Sequence, residues 1–177
     1  MMLPVVRVLL ERANSARFRF VELVQVLPDE MFSRQQAGDD WPVSLHVAHA
    51  LSADAPLLEL LASPGDVGLE AWLASLPQRR ATAIEQASVL PLSDLLQQAE
   101  KEREQLAATL ARVPARALDE SAALPGLRTA WGEPRRITLY EYLEAWSSHD
   151  GEHEQAVRLA ILARPDLSAV ALTRRRR

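Results

Sequence analysis

Cysteine is absent from this chain of 177 residues, and glycine, aromatic side chains and histidine are scarce. Without cysteine there is no disulfide, no thiol nucleophile and no thiolate ligand, so any metal must be held by nitrogen and oxygen. Six glycines are few for a β-rich protein, and few of the apolar residues are β-branched or aromatic. No apolar run approaches the length of a membrane span. The N-terminal stretch MMLPVVRVLLERANSARF has too short an apolar run for a signal peptide, and charge interrupts it early. The formal net charge of −4 argues against a protein built to hold nucleic acid. These absences predict a soluble, cytoplasmic protein with neither a nucleic-acid nor a membrane partner.

What is present favours helices. Apolar residues make up 48% of the chain, led by Ala and Leu, among many Glu, Gln and Arg. Residues 4–27 carry Val5, Leu9, Phe20, Val21, Val24 and Val26 at helical spacing, and Leu27-Pro28-Asp29 ends the run. A polar link follows. A second helix is expected to begin at Pro42, since proline suits the first helical position, and to run to about Leu61. Pro56 should kink or break it. Residues 63–90 read as irregular, with LEAWLASL as a short helix, and residues 92–112 as a strong third helix stopped by Pro114. Residues 115–136, with Pro125, Gly126, Gly132 and Pro134, read as a long connection. Thr138 followed three residues later by Glu141 is a capping box, which opens a last helix running to about Ala163. No strand is expected. The reading is an all-α four-helix bundle with long inter-helix connections, occupying residues 1–170, with a basic, disordered tail at 171–177.

The four histidines fall into two pairs, His46 with His49 and His149 with His153. Residues four apart on a helix lie within about 40° of one another, so His149 and His153 project side by side. Tyr142, Trp146, His149, His153, Ala156 and Ala160 form one seam that faces the interior, and Leu45, His49 and Ser52 form a similar line. His46 is offset from that line. Imidazoles buried together repel when protonated and leave a donor and an acceptor each to satisfy when neutral. A shared divalent cation resolves both problems, with Asp54, Glu59, Asp150 and Glu152 as candidate acceptors for the outer ring nitrogens. Spacing alone leaves the alternative open: pairs that lie apart, each solvated or capping a carbonyl. Asp150 and Glu152 read as solvated helix surface, and Trp72 and Trp131 as packing residues in irregular segments. Trp131, Arg128, Arg135 and Arg136 together suggest an anionic pocket.

Trp41, His49 eight residues on, Thr138-Leu139 with Glu141 and Leu143, and His149-Asp150 with His153 together resemble the DinB/YfiT superfamily of metal-binding four-helix bundles. That resemblance implies a divalent metal (zinc, nickel, iron or manganese) held by His49, His149 and His153. His46 would then be a surface residue or an outer partner of the site, or else a fourth ligand. Three nitrogen ligands leave positions free for water or substrate, as catalytic metals need. The resemblance further implies a small-molecule substrate and a thiol-dependent S-transferase using glutathione, mycothiol or bacillithiol, or a related hydrolase. The alternative is a non-catalytic, metal-stabilised bundle acting through a partner. A homodimer is expected in either case.

Overall fold

The computed structural model describes residues 2–35, 38–62 and 68–162. The arginine run expected to form a tail lies outside the described residues. Helix α1, Pro4–Gln25, opens with proline in its first turn and buries Val6, Leu9, Leu10, Ala13, Ala16, Arg17, Phe20 and Val24, a stripe at helical period. Val5 and Val26, expected on that stripe, are exposed instead. After a 3-10 turn at Asp29–Met31 the link folds back, with Val43 N–H bonded to Arg34 C=O (2.8 Å) and Ser44 N–H to Phe32 C=O (2.9 Å). That return fixes the approach of residues 38–42 to the next helix.

The second helix of the bundle is broken, as Pro56 requires. It comprises α2, Val43–Ser52, and α3, Asp54–Ala62, with Ala53 between them. Pro56 has no N–H for the carbonyl of Ser52, and its ring crowds that carbonyl, so the ladder fails there. Pro42 stands one residue before the helix, in extended conformation, rather than inside its first turn.

Two expectations are corrected in the middle of the chain. Residues 69–88 form a single 20-residue helix, α4 (Leu69–Ser88), with Pro77 inside it. Buried Leu69, Trp72, Leu73 and Leu76 hold this helix on the core, so tertiary packing overrides the local cost of the proline. Trp72 is core, and its indole N–H donates to Pro56 C=O at 2.9 Å. Helix α5, Leu92–Leu110, follows as expected. The supposed long connection then contains the four-residue helix α6, Ala115–Leu118, and an antiparallel hairpin of β1, Ser121–Arg128, and β2, Pro134–Thr138. Its register pairs Ala122 with Ile137 and Ala123 with Arg136, then becomes irregular before Arg128 meets Pro134. Pro125, which cannot donate to a ladder, and Gly126, at φ 75°, fall in that irregular stretch. Proline and glycine inside β1 interrupt the alternation that announces a strand in sequence.

Helix α7, Leu139–Leu162, starts at the expected capping box: Glu141 N–H donates to Thr138 Oγ1 (3.1 Å) and Thr138 N–H to Glu141 Oε2 (2.6 Å). Helices α1 and α2 pack on α7, and α3 packs on α5, so α1, α2–α3, α5 and α7 make the bundle while α4 lies against α2 and β1. The fold is mainly helical, as expected, with the hairpin a small addition.

The core has two apolar halves. Leu9, Leu57, Leu106 and Leu143 belong to one, and Phe20, Leu51, Ala99 and Val157 to the other. At the junction each bundle helix contributes one charged side chain: Arg17, Asp54, Arg103 and Asp150.

Candidate metal centre

His46 and His49 lie on α2, and His149 and His153 on α7. These helices pack together, so the two pairs converge across a hundred residues of sequence. His149 Nε2 is 3.0 Å from His49 Nε2 and 3.3 Å from His153 Nε2. The ligand nitrogens of all three lie within 4.8 Å of one another. The rings are half-buried, with 18% of the His149 side chain exposed.

The chemistry of this donor set fits a cation. A neutral imidazole nitrogen carries either one proton or one lone pair. His149 Nε2 faces two other nitrogens, and a single proton or lone pair cannot satisfy both. Two nitrogens bound to one ion at about 2.0–2.1 Å, with angles of about 90–110° between them, stand about 2.9–3.4 Å apart. The two short separations fall within that range. Burial first, and then the neighbouring His149, push His49 down to about 3; the same two causes push His153 down to about 3. Both rings are therefore neutral at ordinary pH, the form a metal needs.

Trp41 roofs the cluster. Its ring stacks on His153 (centroids 6.2 Å apart, planes 11° apart) and meets His49 edge-on at 5.1 Å. On another side, Arg80 of α4 bonds to Tyr142 Oη at 3.4 Å, and its positive charge is a lesser cause of the low His49 value.

His46 is not a surface residue. It is 6% exposed, and both of its ring nitrogens are engaged: Nδ1 lies 3.0 Å from His153 Nδ1, and Nε2 lies 2.9 Å from Asp39 Oδ2. Its contacts tie the cluster to the link at Asp39. Asp39 escaped the sequence reading because it sits in a link whose geometry has no period. The only local hint was its place two residues before Trp41.

The other candidate acceptors are placed differently. Glu59 pairs with Arg79 and Glu152 with Ser148, both away from the cluster. Asp54 and Asp150 were expected as acceptors for the histidines, and Asp150 alternatively in solvent; both are buried in the charged junction of the core, where Asp150 still lies beside His149. Arg17 Nε donates to Asp150 Oδ2 (2.7 Å), Arg103 Nε to Asp54 Oδ2 (2.6 Å), and Arg103 Nη2 to Asp150 Oδ2 (3.1 Å). Trp146 Nε1 donates to Asp54 Oδ1 at 2.9 Å. Although burial opposes it, the Arg17 guanidinium holds Asp150 well below the usual carboxylate range. His149 Nδ1 is buried with no hydrogen-bond partner among the described residues; Asp150 Oδ1 is 3.8 Å away. Of the residues expected at an anionic pocket, Arg128 and Arg136 bond to the backbone of their own hairpin, at Gly132 C=O and Ser121 C=O.

A helical bundle with three histidines converging from its second and last long helices defines a class of proteins, and the comparisons agree. The model of the DinB superfamily matches residues 13–156, most of the chain, and the chain belongs to that superfamily. No curated protein matches it in sequence. Among solved structures it is similar to the mycothiol-dependent maleylpyruvate isomerase (TM-score 0.61) and to a histidine-to-alanine mutant of that enzyme (TM-score 0.63). Each is 18% identical, and the likeness covers 88% of this chain and 61% of the other. This chain thus spans about three fifths of their length, and the likeness is one of fold. Among the described residues no helix is long and apolar enough to cross a membrane.

Proposed function

We propose that the chain is a metal-dependent enzyme that activates a low-molecular-weight thiol for transfer or isomerisation, with His49, His149 and His153 as the metal ligands. The observation that carries this reading is the convergence of three Nε2 atoms at 3.0 and 3.3 Å, spacings suited to one ion. A divalent ion there would act as a Lewis acid with free positions, lowering the pKa of a thiol or water. The chain has no cysteine, so the nucleophilic sulfur would arrive with the cosubstrate. The similar structures are named mycothiol-dependent, which supports a thiol in that role. A hydrolase using water at the same place is the related variant.

The protein's own residues supply the setting. Trp41 packs against one side of the histidines. Arg80 adds a positive charge that favours an anionic cosubstrate, and its bond to Tyr142 holds the guanidinium beside the cluster. Glu152 is exposed and Asp150 is committed to Arg17, so neither acid serves as a base.

The test is metal analysis of untagged protein, followed by conjugation of a panel of thiols to a model electrophile. His49→Ala, His149→Ala and His153→Ala should each lose the metal and the turnover together. Turnover that survives His149→Ala would reject the reading. Metal bound without turnover on any thiol or ester would favour the non-catalytic alternative. Trp131, 91% exposed at the hairpin turn, and Phe18, 63% exposed on α1, support that alternative as contacts for a partner or a second copy, which sedimentation would detect.

A further inference from the structure

A metal ligand needs its lone pair on the correct nitrogen, and a neutral histidine can carry its proton on either one. For His153 the choice is dictated from outside the cluster. Asp39 is an acceptor when ionised, and it takes two hydrogen bonds, from Trp41 N–H at Oδ1 (3.0 Å) and from His46 Nε2 at Oδ2 (2.9 Å). The backbone donor, more than His46, holds the Asp39 carboxyl below its ordinary range, so it is a carboxylate at neutral pH. A neutral His46 that donates to this carboxylate carries its proton on Nε2, and its Nδ1 is left as an acceptor. That acceptor lies 3.0 Å from His153 Nδ1, which must then be the protonated nitrogen. The lone pair of His153 is left on Nε2, which faces His149 Nε2 at 3.3 Å. With His46 neutral each link has one sense, set at its far end by the Asp39 carboxylate, which only accepts.

We propose that Asp39 and His46 are positioning residues that set the tautomer and orientation of His153, presenting Nε2 to the metal. The proposal rests on the reading of His153 as a ligand. Outer hydrogen bonds of this kind typically change metal affinity by about 10–100-fold. His149 offers the contrast, since its Nδ1 has no such partner among the described residues.

Asp39→Asn is the informative substitution. Its amide oxygen must face the fixed Trp41 N–H, which turns its NH2 toward His46. His46 Nε2 then becomes the acceptor, its Nδ1 the donor, and the proton on His153 is driven to Nε2, against ligation. Asp39 lies on a partly exposed link, so the core is untouched. Long-range nitrogen–proton NMR correlation on the metal-free protein reads the His153 tautomer, and zinc titration against a chromophoric chelator reads affinity. The wild type should carry the His153 proton on Nδ1. Asp39→Asn should move it to Nε2 and weaken zinc binding by about 10–100-fold, with helix content unchanged, and His46→Phe should weaken zinc to a similar degree. A wild-type His153 protonated on Nε2, or zinc affinities of both variants within twofold of wild type, would overturn the proposal. His149→Ala separates the two readings: if it binds zinc as tightly as wild type, the ligand assignment fails, while the tautomer measurement still decides the chain from Asp39 to His153.

Discussion

Two polar clusters sit inside this bundle, adjacent in sequence at His149 and Asp150, and they are satisfied by opposite means. In the charged junction two guanidinium groups meet two carboxylates, so the charges cancel and most donors find acceptors, Arg17 Nη1 being the buried exception among the described residues. Arg103 also lies over the Trp146 ring, 5.0 Å from its centroid. In the histidine cluster like meets like, and three equivalent nitrogens cannot satisfy one another. A closed polar network fixes the helices relative to one another. The histidine cluster shares only α7 with it and leaves its nitrogens facing one another. The two clusters approach at His149 Nδ1 and Asp150 Oδ1, 3.8 Å apart.

The comparison breaks most visibly if one carboxylate of the junction is removed. Asp54→Ala leaves Arg103 and the Trp146 indole without their buried acceptor, and should cost about 3–5 kcal/mol in urea denaturation. His149→Ala, measured on chelated protein, should cost far less, because it removes a nitrogen that has no compatible partner. Metal removal sharpens the difference next. At an ion concentration of about one hundred times Kd, chelation should lower wild-type stability by about 2.7 kcal/mol, and leave His149→Ala unchanged.

Acid separates the clusters by pH window. In the metal-free protein His49 and His153 titrate at about 3 rather than 6.5, so they stay neutral when folded and take up protons on unfolding. Stability should therefore fall as pH drops from about 6.5 toward 3, by up to about 1.4 kcal/mol per pH unit for each ring. Replacing both with Phe should flatten that slope. Asp150 has its pKa depressed, so its contribution is present above the ordinary carboxylate value of 3.8 and is lost only as pH falls below it. The smallest effect belongs to a site remote from both clusters. Thr138→Ala removes the α7 cap and should cost about 1 kcal/mol in thermal denaturation, with metal content unchanged.

Residues at the ends and breaks of helices were legible because their effects are local. Thr138 and Glu141 announced the start of α7, and Pro56 the break between α2 and α3. The hairpin was not legible, since Pro125 and Gly126 erase the period-two pattern. Helix α4 extends beyond the LEAWLASL segment, through Pro77, because buried Leu69, Trp72, Leu73 and Leu76 hold it to the core by remote packing. Asp150 was misplaced for a related reason. A charged residue looks like surface until Arg17 and Arg103, from two other helices, are seen beside it.

By itself the sequence determined that the chain is helical, where most helices begin and end, and that His149 and His153 share a face. These follow from steric and hydrogen-bonding preferences acting within a few residues. Only the tertiary structure decided that His49 meets them, that Asp39 reaches the cluster through His46, and that four charged side chains are buried as a neutral set. Those outcomes depend on helix packing and on the path of a link, which bring together residues that no periodicity in the chain connects.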